Sequence, residues 1–231
     1  MILRNVSFEN DLEFRDDHVC TILAESAGLF ASIVQSMSAM EEGVKPVEPF
    51  VFLEGENEID PKKLLLLVTD PFHLDLNCKK NLTALYARME ENLTADPELR
   101  SEWDRLSILA CGITEKVSKE LFADVDPGHE LSFVSFLKES GVRFDFSPSS
   151  TFKDRMLRLM DITAELMPQR LIVCCNIAGY CEESTWFELL KYACYLKVHL
   201  LVIDHKMPEK LYEHEIRWVI HENFDDEIKK G

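Results

Sequence analysis

The first candidate for chemistry is a short turn that follows an apolar run near the N-terminus. Residues 21–37 read TILAESAGLFASIVQSM, which predicts a strand, a turn (Glu25-Ser26-Ala27-Gly28) and an amphipathic helix. A phosphate-binding loop has this order, but it also needs several glycines, a lysine for the terminal phosphates and a hydroxyl for magnesium. This turn has one glycine, no lysine, and an acid where phosphate would bind. The sequence therefore predicts the scaffold of such a loop without its phosphate chemistry.

Two predicted strands end in an aspartate, LLLLVTD at Asp70 and LLVID at Asp204. Nucleotide hydrolases place a magnesium-holding carboxylate at this point, and a receiver-type phosphoacceptor is a second alternative. Aspartate is also common there because it favours the turn that follows. The seven histidines form no HExxH motif and have no GxSxG partner. The sequence therefore favours a protein that is not an enzyme.

Four acids crowd a predicted turn between two helices: Glu120, Asp124, Asp126 and Glu130. Oxygen ligands on an irregular turn suit calcium, which accepts six to eight of them in flexible geometry. The spacing is not that of an EF-hand, so a solvated acidic turn is the alternative.

Basic residues form small clusters on predicted helices and turns: Lys62 and Lys63, Lys116 and Lys119, and Arg155 and Arg158. Each cluster alone is typical of a solvated face. Phosphate contacts require lysine or arginine on one surface, and a symmetric oligomer would multiply each cluster around its axis.

The overall charge of −17 argues against nucleic acid as a partner, because such proteins usually carry a basic surface. The first 60 residues hold thirteen acids against three bases, a net of −10. A basic lining would therefore have to come from residues after 60. The chain shows no secretion signal and no apolar run near the roughly 18 residues of a membrane helix. Its seven cysteines form no CxxC pair, so we expect a cytoplasmic protein with reduced thiols and no membrane contact.

Continuous apolar runs predict buried strands of a mostly parallel sheet. The candidates are Val19–Ala24, Leu64–Val68, Leu171–Cys175 and His199–Ile203, with Phe50–Leu53 weaker and Phe144–Phe146 as an edge strand. The helical spacing of Ser184–Leu196 makes residues 171–203 a βαβ unit.

Residues 71–142 instead predict helices. The second of them carries a coiled-coil-like seam, with spacings of 4, 3, 4, 3 and 4: Leu99, Trp103, Leu106, Ala110, Ile113 and Val117. A break at 124–128 ends this helix, and Leu131–Ser140 forms a third one. The fold class is therefore α/β, with a head domain (1–70 and 143–231) and an inserted α-helical leg (71–142).

The order of these segments resembles the spacer-acquisition protein specific to type II-A CRISPR systems, from about residue 19 to 225. Three stretches carry the resemblance: KLLLLVTDPFHLDLN (63–77), DPELRSEWDRLSILACGI (96–113) and STFKDRMLRLMDITAELMPQRLIVCCNIAGYCEESTWFELLKYACYLKVHLLVID (150–204).

The resemblance implies a degenerate phosphate-loop head without a nucleotide site and a homotetrameric ring without catalytic activity. It implies structural calcium at the head–leg junction and double-stranded DNA ends threaded through a positively charged hole. The partners would be the CRISPR integrase complex and the RNA-guided effector nuclease of the same system.

Carried onto this chain, the resemblance places calcium at Glu120, Asp124, Asp126 and Glu130. The residues it favours for DNA are Lys62, Lys63, Lys116, Lys119, Lys138, Lys153, Arg155 and Arg158. The acidic N-terminal segment departs from what a DNA-binding ring would favour. Two alternatives stay open: a protein-interaction scaffold that does not bind DNA, and a nucleotide-binding enzyme with an atypical loop.

Overall fold

The computed structural model describes residues 1–126, 128, 131–145 and 150–231. The chain divides into two compact units. The first, which we call the head unit, consists of Met1–Leu74 and Ser147–Gly231. The second, the leg unit, consists of Asp75–Phe146.

Ten strands are found in the described residues, all of them in the head unit. They are β1 (Ile2–Asn5), β2 (Leu12–Glu13), β3 (Val19–Ala24), β4 (Phe50–Glu54), β5 (Asn57–Glu58), β6 (Leu65–Val68), β7 (Leu171–Cys175), β8 (His199–Asp204), β9 (Glu215–Ile220) and β10 (Asp226–Lys230). The large sheet has the order β10-β9-β3-β8-β7-β6, in which only β10 is antiparallel to its neighbour. This confirms the predicted mostly parallel sheet.

Strand β9 was not among the predicted strands, for a physical reason. Its sequence, EIRWVI, carries Glu215 and Arg217 at positions that are fully buried in the sheet. The two charged side chains pair with each other, with Nη2 of Arg217 2.6 Å from Oε1 of Glu215. A buried strand that carries such a pair does not show the continuous apolar run that marks its neighbours.

The helices are α1 (Ala27–Glu42), α2 (Pro61–Leu64), α3 (Lys79–Ala95), α4 (Pro97–Ser118), α5 (Phe133–Glu139), α6 (Phe152–Leu166) and α7 (Glu183–Leu196). The unit β7-α7-β8 joins two neighbouring parallel strands, as predicted for residues 171–203. Phe144 and Asp145 lie outside any strand, so the predicted edge strand is wrong for them, and Phe146 lies outside the described residues. None of the described helices is both long and apolar enough to cross a membrane.

One apolar cluster joins the large sheet, helix α1 and a small antiparallel sheet of order β2-β1-β4-β5. Leu3 and Phe52 of the small sheet, Ile33 and Met37 of α1, and Trp218 of β9 are fully buried in it. This packing fixes the carboxyl ends of β3 and β8, where ligands bind in related open sheets.

The leg unit packs α3 against α4 and α5. The indole of Trp103 lies 5.0 Å and 5.4 Å from the rings of Phe133 and Phe136, and the hydroxyl of Tyr86 donates to the carbonyl of Val142 at 2.9 Å. Helix α4 ends at Ser118, before the predicted break at 124–128. The predicted seam is only partly covered, because no residue of α4 is fully buried within the chain.

Candidate nucleic-acid interface

The turn between β3 and α1 joins a parallel strand to a helix, as a phosphate-binding loop does, and its acid forms an ion pair. Ser26 is the N-cap of α1, and its hydroxyl accepts the backbone N–H of Leu29 at 3.5 Å. The carboxylate of Glu25 lies 3.0 Å from Nδ1 of His221, while Nε2 of the same ring lies 3.3 Å from Glu227. The hydrogen bond to Glu25 raises the pKa of His221. The acid at the phosphate position therefore has an internal cationic partner.

The carboxylate of Asp204, at the end of β8, accepts hydrogen bonds from backbone N–H groups. Its Oδ2 accepts the N–H of Ala178 at 2.9 Å, and its Oδ1 accepts those of His205 and Lys206 at 2.8 Å and 3.1 Å. A carboxylate with these partners holds the ends of β7 and β8 together, and this is a structural role that does not require magnesium.

Asp70, at the end of the segment that contains β6, is an exposed cap of the following turn. Its carboxylate accepts the N–H groups of Phe72 and His73 at 2.9 Å and 3.2 Å. The hydrogen bond from the His73 ring, at 2.6 Å, lowers the pKa of Asp70. Both strand-end aspartates therefore cap the turns that follow them, as the turn-forming interpretation of the sequence pattern predicted.

Two of the predicted cations in the head unit are exposed on α2. Lys62 and Lys63 have no ion-pair partner among residues 1–126, 128, 131–145 and 150–231. Below them, Nη1 of Arg170 donates to the carbonyls of Lys62 and Leu65 at 3.0 Å and 3.3 Å. Arg170 therefore holds the basic turn in place. It was not among the predicted site residues, although it is the basic residue directly before β7.

The other predicted cations of the head unit lie on α6 and differ in the contacts that their charged groups make. Lys153 forms an ion pair with Glu188, and Nε of Arg155 donates to the carbonyl of Ser150 at 3.4 Å. Arg158 is exposed. Of these three, Arg158 is therefore the side chain best placed to reach a phosphate.

The predicted cations of the leg unit are all exposed. Lys116 and Lys119 lie on or beside the last turn of α4, and Lys138 lies on α5. Lys119 forms an ion pair with Glu115 at 2.6 Å, and this bond lowers the pKa of Glu115.

The acidic turn does not form a calcium site from its described residues. Glu120, Asp124 and Asp126 are exposed, and Oδ1 of Asp126 accepts the N–H of Gly128 at 3.0 Å. Within the part of the chain that the structure describes, no three histidine, cysteine or acidic side chains form a group that could hold a metal ion. Glu130 lies outside the described residues. The described carboxylates therefore do not fit calcium without further ligands.

Comparison with solved structures shows which known folds this chain resembles. The chain is similar to the crystal structure of Stu0660 of Streptococcus thermophilus, with a TM-score of 0.65 and 13% identity over 96% of this chain and 75% of that one. It is also similar to a nucleotide-free ATP-binding cassette from an ABC transporter, with a TM-score of 0.51 and 12% identity over 100% of this chain and 91% of that one. The second likeness confirms the predicted phosphate-loop-like architecture of the fold.

Comparison of sequences identifies the family. The profile of the CRISPR-associated protein family Cas_Csn2 matches residues 45–224. The CRISPR-associated protein Csn2 of Enterococcus faecalis is 22% identical over 80% of this chain and 75% of its own length. The protein of the same name from Streptococcus agalactiae is 24% identical over 64% of this chain and 65% of its own length. The chain therefore belongs to the Csn2 family of CRISPR-associated proteins, which confirms the resemblance to the type II-A spacer-acquisition proteins.

Proposed function

We propose that this protein binds the ends of double-stranded DNA, without sequence preference and without catalysis, as a homotetrameric ring that acts in CRISPR spacer acquisition. The observation that carries the proposal is the membership of the Csn2 family over residues 45–224. The integrase complex and the RNA-guided effector nuclease of the same system are its proposed partners, and the cytoplasm is its proposed location.

The chemistry of the head unit supports a binding role. Glu25 is paired with His221 where a phosphate loop would bind its ligand, and Asp204 is held by three backbone N–H groups. Lysines without ion-pair partners among the described residues, such as Lys62 and Lys63, supply the charge that a phosphate backbone requires.

The test measures affinity for a linear duplex against salt concentration, with closed-circular DNA of the same sequence as competitor. We expect the linear duplex to be preferred and the affinity to fall steeply with salt, because neutralised phosphates release counterions. Lys62→Glu with Lys63→Glu should reduce the salt slope by about 0.9 for each phosphate that the variant no longer neutralises. The matched control is Lys191→Glu with Lys230→Glu, which makes the same charge change at two other exposed lysines.

Equal weakening in both double variants would show that only the total charge matters and would remove Lys62 and Lys63 from the interface. Absence of any salt-sensitive binding would contradict the proposal and leave two alternatives, the protein-interaction scaffold and the nucleotide-binding enzyme.

A further inference from the structure

A cleft in the head unit lies between the first turn of α7 and the segment that leads into β9. Its volume of about 720 Å³ falls within the range of roughly 300–1,000 Å³ that is typical of ligand sites. The side chains that give it its chemistry come from both walls: Glu182, Glu183 and Phe187 from α7 and its cap, and Lys210, Tyr212 and Glu213 from the segment before β9. The cleft combines carboxylates with aromatic rings, which is the chemistry of a site for organic cations.

The cleft already holds one cation, which comes from its own chain. Nζ of Lys210 lies 3.0 Å from Oε1 of Glu183 and 5.0 Å from the centre of the Tyr212 ring. Hydrogen bonds from the Tyr212 hydroxyl and from Lys210 lower the pKa of Glu183, so this carboxylate is charged at neutral pH. The contacts of Lys210 therefore show where a cationic group binds in the cleft and which two side chains receive it.

The wall that carries Tyr212 is held in place by the buried ion pair of β9. The backbone N–H of Tyr212 donates to Oε2 of Glu215 at 3.4 Å, and Nη1 of Arg217 donates to the carbonyl of Pro208 at 2.6 Å. The pair thus fixes the chain on both sides of the lysine. A wall that is ordered before binding loses less conformational entropy when a ligand arrives.

Two of the three acids of the cleft are not neutralised. Glu182 and Glu213 are exposed and have no ion-pair partner in the part of the chain that the structure describes, and the side chain of Glu182 does not cap α7. Three acids against one lysine would repel the phosphates of DNA. Among the described residues, no three acids, histidines or cysteines form a group that could hold a metal ion. The fitting ligand is therefore an organic cation.

We propose that this cleft binds an arginine side chain, carried on a short basic segment of a partner protein, which takes the place of Lys210. A guanidinium is planar and has five N–H donors, so it can stack on Tyr212 and reach more than one carboxylate at the same time. Displacement of Lys210 costs little, because both members of its ion pair are largely exposed. This inference goes beyond DNA binding and does not depend on it.

Calorimetric titration with a short peptide tests the ligand chemistry. The probe is a capped peptide of two arginines spaced by glycines, and its control carries citrulline, which has nearly the same shape but no charge. The solution contains about 0.15 M salt, which screens charges more than about 8 Å apart. We expect the arginine peptide to bind and the citrulline peptide to fail. Equal affinities, or no binding of either peptide, would overturn the proposal.

A charge-neutral variant locates the binding. Glu183→Gln should weaken the arginine peptide about tenfold, because a hydrogen bond to a charged group is lost. The matched control is Glu222→Gln, which makes the same change at an exposed acid of the head unit outside the cleft. The control should bind as the wild type does. Equal weakening in both variants would show that only the total charge attracts the peptide and would overturn the proposal.

Removal of the internal cation gives the sharpest prediction. Lys210→Ala should bind the arginine peptide more tightly than the wild type, because the ligand no longer competes with a side chain of the same chain. Lys206→Ala makes the same charge change at an exposed lysine of the same segment that does not line the cleft. A Lys210→Ala protein that binds no more tightly than Lys206→Ala would overturn the proposal.

Two further measurements on Glu183→Gln distinguish the partner from other occupants. Its mass by light scattering and its affinity for duplex DNA should both equal those of the wild type. A smaller mass would show that a second copy of the chain fills the cleft, and a changed DNA affinity would assign the cleft to DNA; either result would overturn the proposal. No peptide binding by a protein that binds duplex ends would overturn this inference and leave the proposed function intact.

Discussion

Oε1 of Glu215 accepts two hydrogen bonds from the guanidinium of Arg217, at 2.8 Å from Nε and 2.6 Å from Nη2, inside the large sheet. The hydroxyl of Thr21, on the neighbouring strand, donates to the same oxygen at 3.0 Å, and Nη1 of Arg217 donates to the carbonyl of Pro208 at 2.6 Å. The pair therefore links β9 to β3 and to the segment before β9.

Removal of one partner should be strongly destabilising. Arg217→Met leaves the carboxylate of Glu215 buried without its cation, and we expect the free energy of unfolding to fall by about 3–5 kcal/mol. Urea denaturation followed by circular dichroism measures it. The control is Glu215→Leu with Arg217→Met, which removes both charges and should cost less than Arg217→Met alone. A double variant that is less stable than the single one would contradict this account.

The ring of His221 gives the head unit a dependence on pH. Both ring nitrogens face carboxylates, those of Glu25 and Glu227, so the charged imidazolium satisfies both. Lys229, on the same strand as Glu227, is 2.7 Å from that carboxylate and competes for it.

The sign follows from the raised pKa of His221. The stabilisation is complete below the ordinary histidine pKa of about 6.5 and is lost as the pH rises through the raised value. The difference in Tm between the wild type and His221→Gln should therefore be largest in mild acid and should shrink in alkaline solution. Glu25→Gln should show a similar trend. A difference that grows with pH would contradict the ion-pair interpretation.

Asp204 and Asp70 should differ in their effect on stability, although both follow a strand. Asp204→Ala leaves three backbone N–H groups without their acceptor at a buried site, and we expect a loss of at least about 1.5–3 kcal/mol. Asp70→Ala, at an exposed cap, should cost less. Thermal unfolding of the two variants side by side makes the comparison, and an equal loss would contradict a buried structural role for Asp204.

Addition of ATP and magnesium tests the nucleotide-enzyme alternative. A ligand that binds the folded state raises the Tm. Because the turn places the carboxylate of Glu25, paired with His221, where a phosphate would bind, we expect no rise in Tm. A rise in Tm with ATP and magnesium that Asp204→Asn abolishes would support the nucleotide-enzyme alternative.

Calcium binding at the acidic turn stays a prediction of the family resemblance. If the turn binds calcium, the ion should add about 2.7 kcal/mol of stability at a concentration a hundredfold above its Kd. Asp124→Asn with Asp126→Asn should abolish the gain, and magnesium should not replace calcium. A Tm that calcium does not change would contradict this prediction and would agree with the absence of a group of three possible metal ligands among the described residues.

The sequence alone determined the elements whose hydrophobic pattern is strong. The continuous apolar runs predicted β3, β7 and β8, because parallel strands that are covered on both faces exclude polar residues. The order of segments predicted the family. The missing lysine and glycines of the loop also predicted a head without ordinary phosphate chemistry.

Tertiary structure decided the rest, because it depends on pairs of residues far apart in the chain. Glu215 and Arg217 interrupt the apolar run of β9, so the sequence pattern did not predict this strand. Their burial is explained only by their pairing with each other. The partner of Glu25 lies at residue 221, and the anchor of Lys62 lies at residue 170. The covered edge of α4 could not be identified from periodicity, because only the packing of Trp103 against Phe133 and Phe136 decides which side of this apolar helix lies inside the leg unit.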